Sequence, residues 1–180
     1  MGTIFVDNLE PQSGTSLTLG ASGDTIALAS GASQTLAVNT PSFLAYINSG
    51  QSISNNTFTV VSFDTELYDT GSCYNTSTYK FTPNVAGKYF FTVKIRQEVQ
   101  GISNFQIRIE KNEETSSYTF PNVIYYNNRP FNYDMGVVSG ILEANGSTDN
   151  FRVRYLGDGG TGNISASFGS FFSAYRIIGA

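Results

Sequence analysis

From Gly87 the chain alternates large apolar with mixed residues. Tyr89, Phe91, Val93 and Ile95 recur at a spacing of two, the period that sends every second side chain to one face of a strand. The intervening Phe90, Thr92, Lys94 and Arg96 form a second, partly polar face, so this strand packs a core on one side and meets another environment on the other. Similar β-branched and aromatic runs, bounded by Gly, Asn, Ser, Asp and Pro, predict strands near 42–47, 58–63, 78–82, 87–97, 104–111, 122–127, 134–143, 150–156 and 168–178. No segment carries a 3.6-residue apolar period over a helical length, so the fold class is all-β. The glycine-rich GDGGTGN at 157–163 follows a strand but precedes no helix, which makes it a mobile turn and not a phosphate-cradling loop.

Ahead of these strands the pattern changes, and it divides the chain into residues 1–40 and a head over 41–180. TIFVDNL, shortly before Pro11, reads as an anchoring strand. In 13–40, Leu17 with Leu19, Ile26 with Leu28, and Leu36 with Val38 form apolar pairs separated by Gly, Ser and Asp. Each pair is too small to bury its own face, whereas three chains wound together could shield one another. The alternative is a flexible Ser/Gly linker. The stretch resembles the repeats found ahead of globular tips in fibre and surface proteins of tailed phages, and so predicts a trimeric stem.

The head carries a second resemblance. Phe63-Asp64, Tyr74, Lys80-Phe81-Thr82 and Gly87-x-Tyr89-x-Phe91 follow one another in an order that resembles the globular head of complement component 1q. Phe43 and Ala45 in SFLAYI resemble that family's opening strand, Lys111-Asn112 its Lys-Asn-Gly turn, and Phe172-Ser173-Ala174-Tyr175 its closing Phe-Ser-Gly-Phe. Two positions depart from the pattern: Thr78-Tyr79 stands where Thr-Gly is usual, and Ala86-Gly87 where Pro-Gly is usual. The resemblance implies a ten-stranded jelly-roll sandwich of the complement-1q and tumour-necrosis-factor type that assembles as a homotrimer. On that reading Phe90, Phe172 and Tyr175 are candidates for the trimer interface.

Composition narrows the function. Charged residues make up 13% of the chain, and the net charge of −4 with no basic cluster in sequence argues against nucleic acid as a partner. Lys and Arg appear scattered, as at Lys94 and Arg96 or Arg152 and Arg154. The single Cys73 has no partner for an intrachain disulfide. The opening residues lack the basic and apolar regions of a signal peptide, Val6 does not suit a myristoylation motif, and no run reaches the roughly 18 apolar residues of a membrane helix. The expectation is a protein without membrane insertion, assembled in a host cytoplasm and carried on a virion surface.

With no His and one Cys, His-based triads and Cys/His zinc sites are excluded. Asp64, Glu66, Asp69, Glu143, Asp149 and Asp158 are dispersed among turn residues. They match neither the paired carboxylates of a glycosidase nor a calcium loop, so no catalytic residue, metal or cofactor is expected. Aromatic residues hold the remaining signal, in YNNRPFNY at 126–133 and SFGSFFSAY at 167–175. Tyr125, Tyr126, Asn127, Asn128 and Arg129 are candidates for a ligand-contact loop.

These readings converge on a non-enzymatic phage surface protein: a trimeric head decoration, head fibre or short fibre, docked on other virion proteins through its N-terminus. The alternative is a tail-fibre tip that binds a host receptor or glycan. A secreted cytokine-like ligand and a polysaccharide-cleaving spike fit less well.

Overall fold

A computed structural model of the chain describes residues 39–98, 104–113, 123–128, 135–160 and 162–178, with isolated positions at 13, 21–23, 25 and 30. By its contacts the chain separates into two compact units, Met1–Leu36 and Ala37–Ala180. Leu17, Leu19, Ile26, Leu28, Leu36 and Val38 all lie outside the described residues.

The second unit is built of strands: β1 (Ser42–Ile47), β2 (Gln51–Ile53), β3 (Thr59–Val60), β4 (Thr65–Thr70), β5 (Tyr74–Asn75), β6 (Lys80–Phe81), β7 (Gly87–Glu98), β8 (Asn104–Lys111), β9 (Val123–Asn128), β10 (Met135–Ala144), β11 (Phe151–Asp158), β12 (Gly162–Ile164) and β13 (Ser167–Arg176). One sheet has the order β2-β12-β7-β13-β1-β4, with β10 on the other side of β7; the second runs β5-β6-β11-β8-β9, with β3 also on β11. The paired strands of both sheets run antiparallel, which suits a face that is core on one side and open on the other.

The alternation in β7 is realised as expected. Tyr89, Phe91, Val93 and Ile95 are buried, joined by Phe43, Ala45 and Ile47 from β1 and Phe172 and Ala174 from β13. Facing them across the sandwich stand Phe105, Ile107 and Ile109 of β8 and Phe151, Val153 and Tyr155 of β11. Aromatic contacts tie the sheets together: the Phe91 and Phe151 ring centroids lie 4.6 Å apart, and Phe43 stacks on Phe81 at 4.5 Å and on Tyr74 at 4.7 Å. Burying each such side chain is worth about 1.5–3 kcal/mol.

Two glycines fit where no side chain could. A Cβ on Gly136 would lie 2.6 Å from the Phe105 ring, and Gly146, at φ +74°, has its Cβ position against the Ala86 backbone nitrogen.

Four strands, β2, β4, β5 and β12, go beyond the sequence expectation. The end of the glycine-rich 157–163 stretch is not a free turn: Gly162–Ile164 forms β12, paired with β2 and with the end of β7. β4 closes its sheet, and its register with β1 shifts between Leu44 and Ala45, opposite Tyr68 and Glu66, so that Leu67 is the extra residue of a bulge and is 59% exposed.

Candidate functional site

The outward face of the seven-stranded sheet is rich in apolar residues. Register places Tyr175 of β13 opposite Phe90 of β7, and Phe90 opposite Ile141 of β10. A parallel row joins Tyr46, Phe171, Lys94 and Val137, and another joins Tyr68, Leu44 and Ser173. Tyr68, Val137, Ile141 and Tyr175 are exposed, with Met135 at the end of β10 52% exposed. Between the first two rows, Ser173 is followed by Thr92 and Ser139, so the apolar side chains stand in rows separated by small polar ones; exposed Tyr, Val, Ile and Met of this kind are what an interface presents before it is covered.

The three candidate interface residues do not share this face. Phe90 and Tyr175 are on it, with ring centroids 5.6 Å apart. Phe172 is not: it is fully buried, packed edge-on against Phe43 at 4.9 Å and stacked with Phe91 at 6.2 Å. This corrects the sequence expectation. Positions three apart on a strand point to opposite sides, so Phe172 belongs to the core when Tyr175 belongs to the surface.

The outward face of the six-stranded sheet is different in character. Arg154 stands opposite Arg108, and Arg152 opposite Glu110. Glu110 is wholly buried and receives two arginines, Arg152 Nε at 3.4 Å and Arg154 Nη1 at 3.5 Å. Burial pushes its carboxyl above the ordinary range against the pull of Arg154, Arg152 and Arg108. Glu113 extends the network, pairing with Lys80 and with Arg152 Nη1 at 3.3 Å, and the Lys80 hydrogen bond holds its carboxyl below the ordinary range. Phe58 organises the far side: the Arg108 guanidinium lies 3.7 Å above its ring, Arg154 lies 5.2 Å from it, and Arg154 Nη2 donates to the Phe58 carbonyl at 2.8 Å.

Four of the Lys and Arg that look scattered in sequence, Lys80, Arg108, Arg152 and Arg154, are thus gathered in space, while Lys94 and Arg96 lie on β7 of the other sheet. The spacing of two in Arg152/Arg154 and in Arg108/Glu110 was visible along the chain; that β11 and β8 are neighbours in this register was not. The candidate ligand-contact residues also need correction, because Tyr125, Tyr126, Asn127 and Asn128 lie on strand β9 and not in a loop. Tyr125 is in register with Arg108 and Asn127 with Gln106, while Tyr126 and Asn128 are in register with Ile107 and Phe105. Arg129 lies outside the described residues.

The C1q domain profile matches residues 42–139, more than half of the chain. The chain belongs to the C1q domain family. No curated protein matches it. Among solved structures, the globular domain of zebrafish complement 1qA is similar at a TM-score of 0.54 and 17% identity, over 77% of this chain and 98% of that one. Murine APRIL is similar at 0.56 and 12% identity, over 76% and 98%. The PRD1 vertex protein P5 is similar at 0.54 and 16% identity, over 76% and 94%. At these identities the likeness is one of fold: an all-β jelly roll of the C1q and tumour-necrosis-factor type.

Several acids of this C1q domain hold its turns in shape. Asp64 Oδ1 accepts from the Asn48 amide at 2.8 Å, and Asp69 Oδ2 from the Tyr74 amide at 2.8 Å. Burial alone would raise the pKa of Asp149, but hydrogen bonds from Asn112 and Lys111 and from the Asn145 amide hold it below the ordinary range. Among the described residues no three His, Cys, Asp or Glu side chains converge on a metal-sized space. Cys73 is buried with Sγ near the Gly71 carbonyl, and burial pushes its thiol pKa up, away from the reactive thiolate.

Proposed function

We propose that this C1q domain is the projecting head of a non-enzymatic, homotrimeric virion-surface protein of a tailed phage, a head decoration, head fibre or short fibre. The observation that carries the reading is the exposed apolar row through Tyr175, Phe90 and Ile141 on the seven-stranded sheet, which a second and third copy would cover. The shared fold of the PRD1 vertex protein supports a virion setting. Residues 1–40 then form the stem that docks the head on other virion proteins, with the head beginning near Pro41. A second reading, a tail-fibre tip contacting the host, is favoured by the polar face built on Arg152 and Arg154.

Light scattering on the intact chain tests the assembly, with a trimer at micromolar concentration expected and a monomer overturning the reading. Labelling the protein on intact particles tests the setting. Label on the capsid supports a decoration or head fibre, and label at the tail tip supports the second reading.

A further inference from the structure

We infer that the assembled trimer holds one tetrahedral inorganic oxyanion, phosphate or sulfate, between three copies of Lys94, with Thr92 and Ser139 as supporting hydroxyl donors. The inference rests on the proposed homotrimer, because one chain supplies only a third of the site.

Lys94 sits unpaired among apolar neighbours. On β7 it is in register with Phe171 of β13 and with Val137 of β10, and Tyr46 of β1 follows beyond Phe171. It is half-buried, and among the described residues no hydrogen bond or ion pair engages its ammonium. Open to water, such a group is well solvated. Once further copies cover the row through Tyr175, Phe90 and Ile141 on the same face, the ammonium loses water as well, and a cation there needs a counter-charge.

The chain offers none at this height. Among the described side chains, the carboxylate on this face is Glu143, in register with Lys88. Lys88 and Lys94 are six positions apart on β7, about 20 Å along the strand. Glu66 is in register with the buried Ala45, and Asp69 with the buried Phe43, so both have the parity of the core side. Where strands run along a threefold axis, rotation leaves the height of each residue unchanged. Lys94 of one copy therefore meets Tyr46, Phe171, Val137 or Lys94 of the others, and no carboxylate. Three like charges at one level are then neutralised from solution.

The adjoining level supplies donors. Thr92 precedes Lys94 by two residues on the same face of β7 and stands opposite Ser139, and among the described residues neither hydroxyl is engaged. Ammonium groups and hydroxyls disposed about a threefold axis match the threefold symmetry of a tetrahedral oxyanion. The apolar rows on either side of this level confine the site to a small ion.

The test uses the intact chain in a buffer free of phosphate and sulfate. Light scattering comes first, and a monomer defeats the proposed assembly and this inference with it. For a trimer, equilibrium dialysis against phosphate or sulfate is expected to saturate at one anion per three chains, and thermal unfolding to rise with anion concentration, since the anion binds only the assembled state. Lys94→Met is expected to abolish binding and, without the anion, to unfold above native, because the like charges are gone. Thr92→Val is expected to weaken binding by about tenfold or more, the worth of a charge-assisted hydrogen bond. Lys88→Met, at the far end of the same strand, is expected to keep native stoichiometry. Saturation at one anion per chain, native binding by Lys94→Met, or Lys94→Met unfolding below native in anion-free buffer, the mark of a carboxylate from another copy, overturns the inference. A trimer that binds neither anion defeats this inference alone.

Discussion

Tyr175 stands across the β13–β7 ladder from Phe90, their ring centroids 5.6 Å apart and their planes tilted by 41°. Each ring shields part of the other, yet Tyr175 keeps 44% of its surface exposed. Replacing both by serine leaves the core untouched and removes the apolar centre of the face. The double variant is expected to run as a monomer in size-exclusion chromatography with light scattering while keeping a folded circular dichroism spectrum. A double variant that still forms trimers would remove this row from the interface.

Phe172→Ala should behave in the opposite manner. Emptying a fully buried aromatic site costs about 3–5 kcal/mol, so denaturant unfolding shifts to a much lower midpoint. A variant that unfolds at the native midpoint but associates less well would contradict the burial of this ring against Phe43 and Phe91.

Gly146→Ala places a Cβ against the backbone of Ala86 at a residue with φ +74°. Neither backbone can yield cheaply, and a left-handed non-glycine residue adds roughly 1 kcal/mol or more. Thermal unfolding of the alanine variant is expected several degrees below native; an unchanged transition would mean that the turn relaxes freely.

Alkaline pH provides a further check. The Tyr89 hydroxyl donates to the Val85 carbonyl, and burial pushes its pKa up to about 12, against the opposing pull of Arg176. Burial raises Tyr74 as well. An unfolded tyrosine titrates near 10, so between about pH 10 and 12 the unfolded chain has released protons that the folded chain retains. Stability from these groups is complete below pH 10 and falls as pH rises through that window. Denaturant midpoints measured across it should decline, and more gently in Tyr89→Phe. Parallel slopes for the two proteins would exclude Tyr89 as a source.

For residues 1–40, the proposed stem makes a prediction of its own. Burying Ile26 and Leu28 yields roughly 3–6 kcal/mol, less than the cost of ordering a repeat at about 1–2 kcal/mol per residue, so order requires other chains. Ile26→Ser with Leu28→Ser is expected to release the protein from particles without dissolving the trimeric head. Normal attachment, with rapid hydrogen exchange over 13–40 in both proteins, would make the stretch a plain linker.

The long strands were legible because burial on one face writes a period of two into the sequence. β1 and β8 match their expected spans, and β7, β10 and β11 differ at their ends by no more than two residues. β4 was not legible, since TELYDT lies at a sheet edge, exposed over Glu66, Leu67 and Tyr68, and the bulge at Leu67 breaks the period. β12 has three residues beginning with glycine, too few to alternate. Faces were harder to read than strands. Phe172 and Tyr175 were grouped by size and proximity although their parity differs, and the arginine cluster depends on which strands are neighbours, a relation no local pattern encodes.

The bulge in β4 bears on how copies of the chain can add to one another. An outermost strand with a straight, unsatisfied row of amides and carbonyls invites a foreign strand to zip on, and repeated addition grows a ribbon. At Leu67 the extra residue puts that row out of step, and Glu66 beside it would bring a charge into any such zipper. Among the described residues, lateral polymerisation along this rim is therefore obstructed, which leaves the proposed association to the sheet face.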